Sequence, residues 1–147
     1  MYRMKISFTV ILFFLVYGLS AQSPDYMGWV DRSANHIEQN RLDSAAVALQ
    51  KAMALEPANE NNPVLLLNLG ILQRQMKLYD DAYISFTASL GNNPLSELVL
   101  HNRASLLCDM ERFDEAMEDY NALIRNYPDD VEADVTGLAE RACRFAS

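Results

Sequence analysis

Few residues in this sequence have the type and spacing that catalysis or metal binding requires. The two histidines, His36 and His101, belong to no His-Glu-x-x-His pattern, which would place two zinc ligands on one helical face. The two cysteines form no Cys-x-x-Cys pair and no cluster with a histidine. The sequence also lacks a Gly-x-Ser-x-Gly nucleophile motif and a dinucleotide fingerprint. We therefore expect no catalytic residues, no metal and no cofactor.

Two acidic pairs, Asp80-Asp81 and Asp114-Glu115, are the remaining candidates for acid–base chemistry. Each pair lies at the start of a predicted helix, where carboxylates interact favourably with free backbone N–H groups and with the helix dipole. We expect the first aspartate of each pair, and the similarly placed Asp43, to cap its helix. This structural role favours a protein that is not an enzyme.

Charge limits the class of partner. The 147 residues contain 12 basic and 20 acidic residues, which give a net charge of −8, and 50% of them are apolar. That apolar share suffices for a folded core and excludes global disorder. The acidic balance argues against nucleic-acid binding, which needs concentrated Lys and Arg. We expect a protein or peptide partner that is neutral or basic.

Residues 1–21 have the pattern of a secretory signal peptide. Arg3 and Lys5 precede an uncharged run over residues 6–17, and the small residues Gly18, Ser20 and Ala21 follow. A membrane-spanning helix needs about 20 apolar residues, so this run is too short to span. We expect cleavage after Ser20 or Ala21 and an exported protein, periplasmic or extracellular, from a bacterial envelope. An uncleaved leader that anchors the chain to the membrane is the alternative. Cleavage would leave 10 basic and 20 acidic residues, a net charge of −10.

One helical pattern occurs three times. The segments that begin at Leu42, Tyr79 and Phe113 each place apolar or small residues at offsets 0, 3, 4, 7, 10 and 11, which is one face of an α-helix. A proline that cannot continue the helix follows each segment, at positions 57, 94 and 128. The recurring alanines at 82 and 116 are 34 residues apart, while those at 45 and 82 are 37 apart, so the polar run 58–62 is expected to hold three extra residues. Further helices are expected upstream, at about 25–39, 63–76 and 95–110. The fold class is therefore all-α, with a helix–turn–helix unit repeated three times.

These units resemble the tetratricopeptide repeat family. Its pattern asks for a Trp or Leu and a Leu-Gly pair in the first helix, for Tyr, Ala, Phe and Ala in the second helix, and for a closing Pro. The middle unit matches best, through Leu66, Leu69-Gly70, Tyr79, Ala82, Phe86 and Pro94. Arg32 and Arg103 stand where the family has Leu, and Ser33 stands where it has Gly.

The resemblance implies an α-solenoid of three repeats at about 26–57, 63–94 and 97–128. It also implies which residues pack the repeats together: Trp29, Leu42, Ala45, Leu49, Leu66, Leu69, Gly70, Tyr79, Ala82, Phe86, Leu100, Phe113, Ala116 and Tyr120.

Residues 129–147 are predicted to form a capping helix, or the start of a truncated fourth repeat. An apolar stripe over Val131, Val135 and Leu138 follows two acidic residues, and a solenoid end needs such a cover. Cys108 and Cys143 lie 35 residues apart, close to one repeat period. A disulfide between them is conceivable in an oxidising compartment, and two independent thiols are the alternative.

In this family the first helices line a concave groove that binds partners. The resemblance places residues of all three units on that side: Val30, Asp31, Ala34 and Glu38 of the first, Leu67, Asn68, Ile71, Arg74 and Gln75 of the second, and Leu98, His101, Asn102, Ser105 and Asp109 of the third. The partner-binding residues are expected to be Asn68, Ile71, Arg74, His101, Asn102 and Ser105. Some members clamp a terminal carboxylate with Lys, Arg and Asn. The corresponding positions here are Val30, Ala34, Asn68, Leu98 and Asn102, which carry no cation, so such a clamp is not expected.

The function that follows is an exported, non-enzymatic adaptor that binds a peptide or protein in its groove. The alternative is a structural subunit of a larger cell-envelope assembly.

Overall fold

The computed structural model describes residues 24–128, and these residues form helices without any strand. The helices are α1 Pro24–Glu38, α2 Leu42–Leu55, α3 Asn62–Gln75, α4 Tyr79–Leu90, α5 Glu97–Asp109 and α6 Phe113–Asn126. The all-α repeat fold predicted from the sequence is confirmed. The predicted leader (1–21), the predicted capping helix (129–147) and Cys143 lie outside the described residues.

The helices pack in chain order. α1 packs on α2, α3 on α4 and α5 on α6, and the hairpins join through contacts of α2 with α3 and of α4 with α5. α3 also contacts α5, so the first helices of two successive repeats are neighbours. This arrangement is the stacking of helix pairs that defines an α-solenoid.

The three hairpin turns share one backbone conformation. Asn40, Lys77 and Glu111 lie at equivalent positions and have positive φ values of 56°, 61° and 59°. The residue after each of them donates its backbone N–H, over 2.8 Å, to the carbonyl five residues earlier. This is a Schellman termination of the first helix, for which glycine is the usual residue. The sequence thus repeats a turn as well as a helix, without using glycine for it.

The second helices of the repeats begin two residues earlier than N-caps at the aspartates would place them. The N-cap positions are occupied by Arg41, Leu78 and Arg112, none with a capping side-chain hydrogen bond. The expectation that Asp43, Asp80 and Asp114 are N-caps is therefore wrong. They lie inside the first helical turn, because the preceding Schellman turn already brings the chain into the helix, and there they still favour the positive end of the dipole.

The core consists of two clusters that meet at α3. One cluster joins α1 and α2 to Leu65, Leu69 and Leu72 of α3. The other joins Leu67 of α3 to α4, α5 and α6. A helix that buries side chains in both clusters explains why α3 has the most apolar sequence among the first helices.

Close helix contacts explain the small residues of the pattern. Ala45, Ala82 and Ala116 are all fully buried. A Cβ atom on Gly70 would lie 2.6 Å from Cε1 of Phe86, so glycine is required where α3 approaches α4. Ser33 replaces the family's glycine in α1, where it is fully buried and donates its hydroxyl to the carbonyl of Ala45 over 3.1 Å.

The other residues predicted to pack the repeats together differ in how far they are buried. Leu49, Phe86, Leu100 and Tyr120 are buried, as is Leu69. Trp29, Leu42, Leu66, Tyr79 and Phe113 are half-buried. Trp29 lies between two cations, with the Arg32 guanidinium 4.4 Å and the Lys51 ammonium 4.3 Å from its ring centre.

Ile124 differs most from its predicted place on the apolar stripe of α6. It is 41% exposed, whereas Leu123 beside it is buried. Ile124 lies in the last turn of α6, which is the final described helix.

The polar run in the first junction is an ordered structure. Asn62, at the start of α3, donates its amide to the carbonyls of Glu56 and Pro57 over 2.8 and 3.2 Å. The fully buried Tyr26 of α1 donates its hydroxyl to Oδ1 of the same Asn62 over 3.2 Å. One asparagine therefore fixes the junction loop to both neighbouring repeats.

Arg103, which replaces the family's leucine, is held by a bidentate ion pair between α5 and α6. Its Nε and Nη2 donate to the two carboxylate oxygens of Asp119 over 2.8 and 2.7 Å, and Nη1 donates to Thr87 of α4. The Asp119 side chain is 7% exposed. The hydrogen bonds to Asp119 raise the pKa of Arg103 above its usual value, so this position holds a fixed charge pair between α5 and α6.

Candidate binding groove on the first helices

A cavity of about 200 Å³ lies between α3 and α5. It is lined by Ile71, Arg74 and Gln75 of α3 and by Asn102 and Asp109 of α5. These residues belong to the side of the first helices on which the sequence placed the groove. We call this cavity the α3–α5 groove. One apolar side chain beside four polar ones suits a ligand that forms hydrogen bonds as well as apolar contacts.

A charge pair spans the α3–α5 groove. Arg74 Nε donates to Asp109 Oδ2 over 2.6 Å, and the two side chains are 29% and 38% exposed. The pair joins successive repeats. It also neutralises the arginine that was expected to bind a partner.

Asn102 has capacity left for a ligand. Its amide nitrogen donates to the carbonyl of Leu98, one turn earlier in α5, over 2.8 Å. An asparagine side chain has two N–H donors and an acceptor oxygen, so this bond occupies one donor. The acceptor oxygen and the second N–H remain for an extended peptide backbone.

The structure brings three of the six predicted groove residues together, namely Ile71, Arg74 and Asn102. His101 and Ser105 are half-buried on α5 and do not line this cavity. Asn68 is 6% exposed, which leaves little of its amide accessible. Val30 and Leu67, also on the predicted groove side, are buried in the core clusters instead. Gln75 and Asp109 were on the predicted face but outside the predicted set, and they complete the lining.

The other polar groups in the described part of the chain do not form a second candidate site. No group of three or more His, Cys, Asp or Glu residues there could hold a metal ion. Burial raises the pKa of the Cys108 thiol, which lies 3.9 Å from the Tyr120 hydroxyl, and so disfavours a reactive thiolate. Burial, with a smaller contribution from Glu56, raises the pKa of Tyr26 to about 12. Asp80, Asp81 and Asp114 are exposed at helix starts.

None of the helices in residues 24–128 combines the length and apolar character that a membrane span requires.

The second helices of the repeats, α2, α4 and α6, which we call the outer helices, include exposed apolar side chains. Val47 of α2 and Ile84 of α4 are 48% and 64% exposed and occupy equivalent positions, 37 residues apart. The equivalent residue of α6 is Glu118, which is also exposed. The first two repeats therefore share an apolar feature that the third repeat lacks.

Comparison with known proteins identifies the repeat. The tetratricopeptide repeat family model matches residues 99–130. A tetratricopeptide repeat protein from Parabacteroides merdae has a similar crystal structure, with a TM-score of 0.78 and 32% sequence identity. The similarity covers 82% of this chain and 46% of that one, so the present chain spans about half of its relative. No significant match occurs among curated protein sequences.

Two further structures have the same fold and contain peptides. The first tetratricopeptide domain of Spaghetti (RPAP3), bound to the HSP90 peptide SRMEEVD, has a TM-score of 0.70 at 20% identity, with 86% of this chain and 99% of that one covered. The second such domain of human RPAP3, in complex with the HSP70 peptide SGPTIEEVD, has a TM-score of 0.69 at 13% identity, with coverage of 81% and 95%.

The described chain is thus an all-α solenoid of helix–turn–helix repeats. The solved structures that it resembles are tetratricopeptide repeat proteins, and its third repeat matches the family's sequence model.

Proposed function

We propose that this protein is an exported, non-enzymatic adaptor that binds a peptide or protein segment in the α3–α5 groove. The observation that carries the proposal is the cavity between the first helices of two repeats, lined by Ile71 and four polar side chains. Peptides bound to two structures of the same fold support a peptide ligand here.

The partner segment is neutral or basic. The whole chain carries a net charge of −8. Asp31 and Glu38, on the predicted groove side of α1, are exposed, and Arg74 is already paired with Asp109. Complementary charge accelerates association and discriminates against partners of like charge. An acidic segment would meet net repulsion along this face.

Export is proposed from the sequence of residues 1–21, where basic residues, an uncharged run and small residues follow one another as in a signal peptide. The protein would then act in the periplasm or outside the cell. Detection of a mature N-terminus at Ala21 or Gln22 by mass spectrometry of the secreted or periplasmic protein would support this, and an intact N-terminus would contradict cleavage.

The groove is tested by a pair of matched double variants. Gln75→Ala with Asn102→Ala removes two groove amides without cutting into the core. Gln50→Ala with Ile84→Ala changes two exposed residues on α2 and α4. We expect the first variant to lose affinity for a partner purified with the native protein, and the second to keep it. Equal affinity of both variants for the partner would show that the partner binds outside the α3–α5 groove.

Salt dependence tests the charge of the partner in the same titration. Affinity is expected to fall as the salt concentration rises through about 0.15 M, where the Debye length is about 8 Å. An affinity that does not change with salt would reject a basic partner.

A structural subunit of a cell-envelope assembly is the second candidate. The exposed Val47 and Ile84, at equivalent positions on α2 and α4, favour it because exposed apolar side chains can contact another protein. In that case partner binding would survive the groove variant and fail in the Ile84 variant of the same experiment.

A further inference from the structure

The described first helices contain three arginines and no lysine. Arg32 lies 4.4 Å from the ring centre of Trp29, and Arg103 is held by Asp119. Arg74 alone lines the α3–α5 groove. It is therefore the cation that a ligand in this groove would meet.

The Arg74 guanidinium is bound by a carboxylate from the next repeat. Asp109 stands 35 residues later in the chain, in the last turn of α5, and its Oδ2 accepts the Arg74 Nε–H over 2.6 Å. Both side chains line the cavity, so the pair is part of the surface that a ligand would touch. A carboxylate of the ligand would have to compete with Asp109 for the guanidinium.

The groups beside the pair offer acceptors to a ligand that donates N–H groups. Asp109 has a second carboxylate oxygen, and Asn102 has an acceptor oxygen, because its bond to Leu98 uses an N–H. A ligand that donates N–H groups finds partners at both sites. A ligand carboxylate placed there meets the charge of Asp109 at short range, which is destabilising.

We propose that Asp109 is a specificity-determining residue of the groove: by holding Arg74, it excludes segments that carry acidic side chains. The proposal rests on the proposed function, since it assumes that the groove binds a peptide. Asp109 then competes, from within the protein, with a ligand carboxylate for the Arg74 guanidinium. A solenoid whose groove contains a suitable arginine is thereby prevented from binding acidic peptides.

The proposal predicts a gain of binding from a single substitution. Because both partners are about one-third exposed, the pair itself contributes little to stability. Asp109→Asn should therefore leave the fold intact, weaken the hold on the Arg74 guanidinium by removing the negative charge that pairs with it, and remove a charge that repels acidic ligands. We expect the affinity for an acidic peptide to rise about tenfold, which corresponds to about 1.4 kcal/mol.

The experiment uses the full chain and the acidic peptide SRMEEVD, which is bound in the Spaghetti structure. The reference is SRMQQVN-amide, in which an amide replaces every carboxylate while the arginine is kept. Calorimetric titrations compare wild type, Asp109→Asn and the double variant Asp109→Asn with Arg74→Gln. Glu118→Gln, on the exposed side of α6, is the matched control because it removes the same charge outside the groove. The melting temperature of each variant verifies folding.

The expected result is tighter binding of SRMEEVD by Asp109→Asn alone. The double variant and Glu118→Gln should behave like wild type, and the affinity for SRMQQVN-amide should not distinguish wild type from Asp109→Asn. A gain in Glu118→Gln equal to that in Asp109→Asn would show that net charge, and not Asp109, sets the preference.

Two results would overturn the proposal without affecting the proposed function. Wild type could bind SRMEEVD as tightly as Asp109→Asn does, or folded Asp109→Asn could gain nothing. The Gln75/Asn102 variant, titrated with the purified native partner, decides separately whether the groove binds peptides at all.

Discussion

Replacing Gly70 by alanine tests how closely α3 and α4 approach. An added Cβ atom would lie 2.6 and 2.7 Å from two ring atoms of Phe86 and 3.0 Å from a third. Carbon atoms in contact prefer about 3.5–4.0 Å. The Phe86 ring is fully buried, in a core where side chains pack closely, so either the ring or the helix must move.

Two opposing effects set the magnitude. Overpacking by a methyl group in a closely packed core costs typically about 1–3 kcal/mol. Alanine is favoured over glycine within a helix by roughly 0.5–1 kcal/mol. Since the contact is about 1 Å too short, we expect the overpacking term to lie in the upper half of its range. The net loss of stability for Gly70→Ala is then about 1–2 kcal/mol.

Gly28 provides the matched control. It lies within α1, and an added Cβ atom would have no neighbour within 4 Å. Gly28→Ala therefore retains the helix preference without a clash and should stabilise the protein by roughly 0.5–1 kcal/mol. The two substitutions are chemically identical and are predicted to change stability in opposite directions.

Urea denaturation, followed by circular dichroism, measures both variants. A changed midpoint with an unchanged slope reports a change in stability. The loss in Gly70→Ala should be smaller in a Phe86→Leu background, because the smaller side chain relieves the contact. If the Gly70→Ala variant were as stable as the Gly28→Ala variant, α3 would not approach Phe86 of α4 this closely. The register of α3 against α4 would then be wrong.

Three further predictions concern the turns, the ion pair and the buried phenol. Glu111→Gly should raise stability by about 0.5–1 kcal/mol in thermal melts because φ is 59° there, and a lower melting temperature would contradict this. Asp119→Ala should lower stability by about 3 kcal/mol in urea because it leaves Arg103 without its partner. Glu115→Ala, which removes the exposed carboxylate paired with Arg112, should change stability little. An equal loss of stability in the two variants would show that the buried Arg103–Asp119 pair does not stabilise the fold more than an exposed pair does. Burial raises the pKa of Tyr26 to about 12, so unfolded chains release this proton first and stability should fall between about pH 10 and 12. Tyr26→Phe should remove that part of the decline, and an identical pH profile would show that Tyr26 is accessible.

The repeat architecture could be predicted from the sequence because it is a periodic property. The three apolar stripes, the closing prolines and the recurring alanines each depend on local spacing. The first helices begin and end within two residues of their predicted bounds. Ala45, Ala82 and Ala116 are all fully buried, as expected where two helices approach closely.

The predicted caps were wrong for a physical reason. The sequence offered Asp43 and its equivalents as caps, since aspartate is a preferred N-cap residue. The hairpin turn ends in a Schellman motif that already sets the helical conformation before the aspartate. Asn40, Lys77 and Glu111, which adopt positive φ there, gave no common sequence signal because none of them is glycine.

The groove was predicted in outline but not in its chemistry. Helical spacing identified the face that carries Ile71, Arg74 and Asn102. It could not show that Asn68 is buried, nor that Asp109 reaches Arg74, because both depend on how the helices of successive repeats pack. The pairing of charges 35 residues apart requires the three-dimensional arrangement.

Site-specific photo-crosslinking tests the central claim that the partner binds in the α3–α5 groove. A photoreactive amino acid is placed at Asn102 in the groove or, in a second protein, at Ile84, which is 64% exposed on α4. After irradiation with the native partner, mass spectrometry identifies the crosslinked segments. We expect one neutral or basic segment of the partner to be crosslinked at position 102 and none at position 84. Crosslinking at position 84 alone would contradict the account and would favour binding through the outer helices.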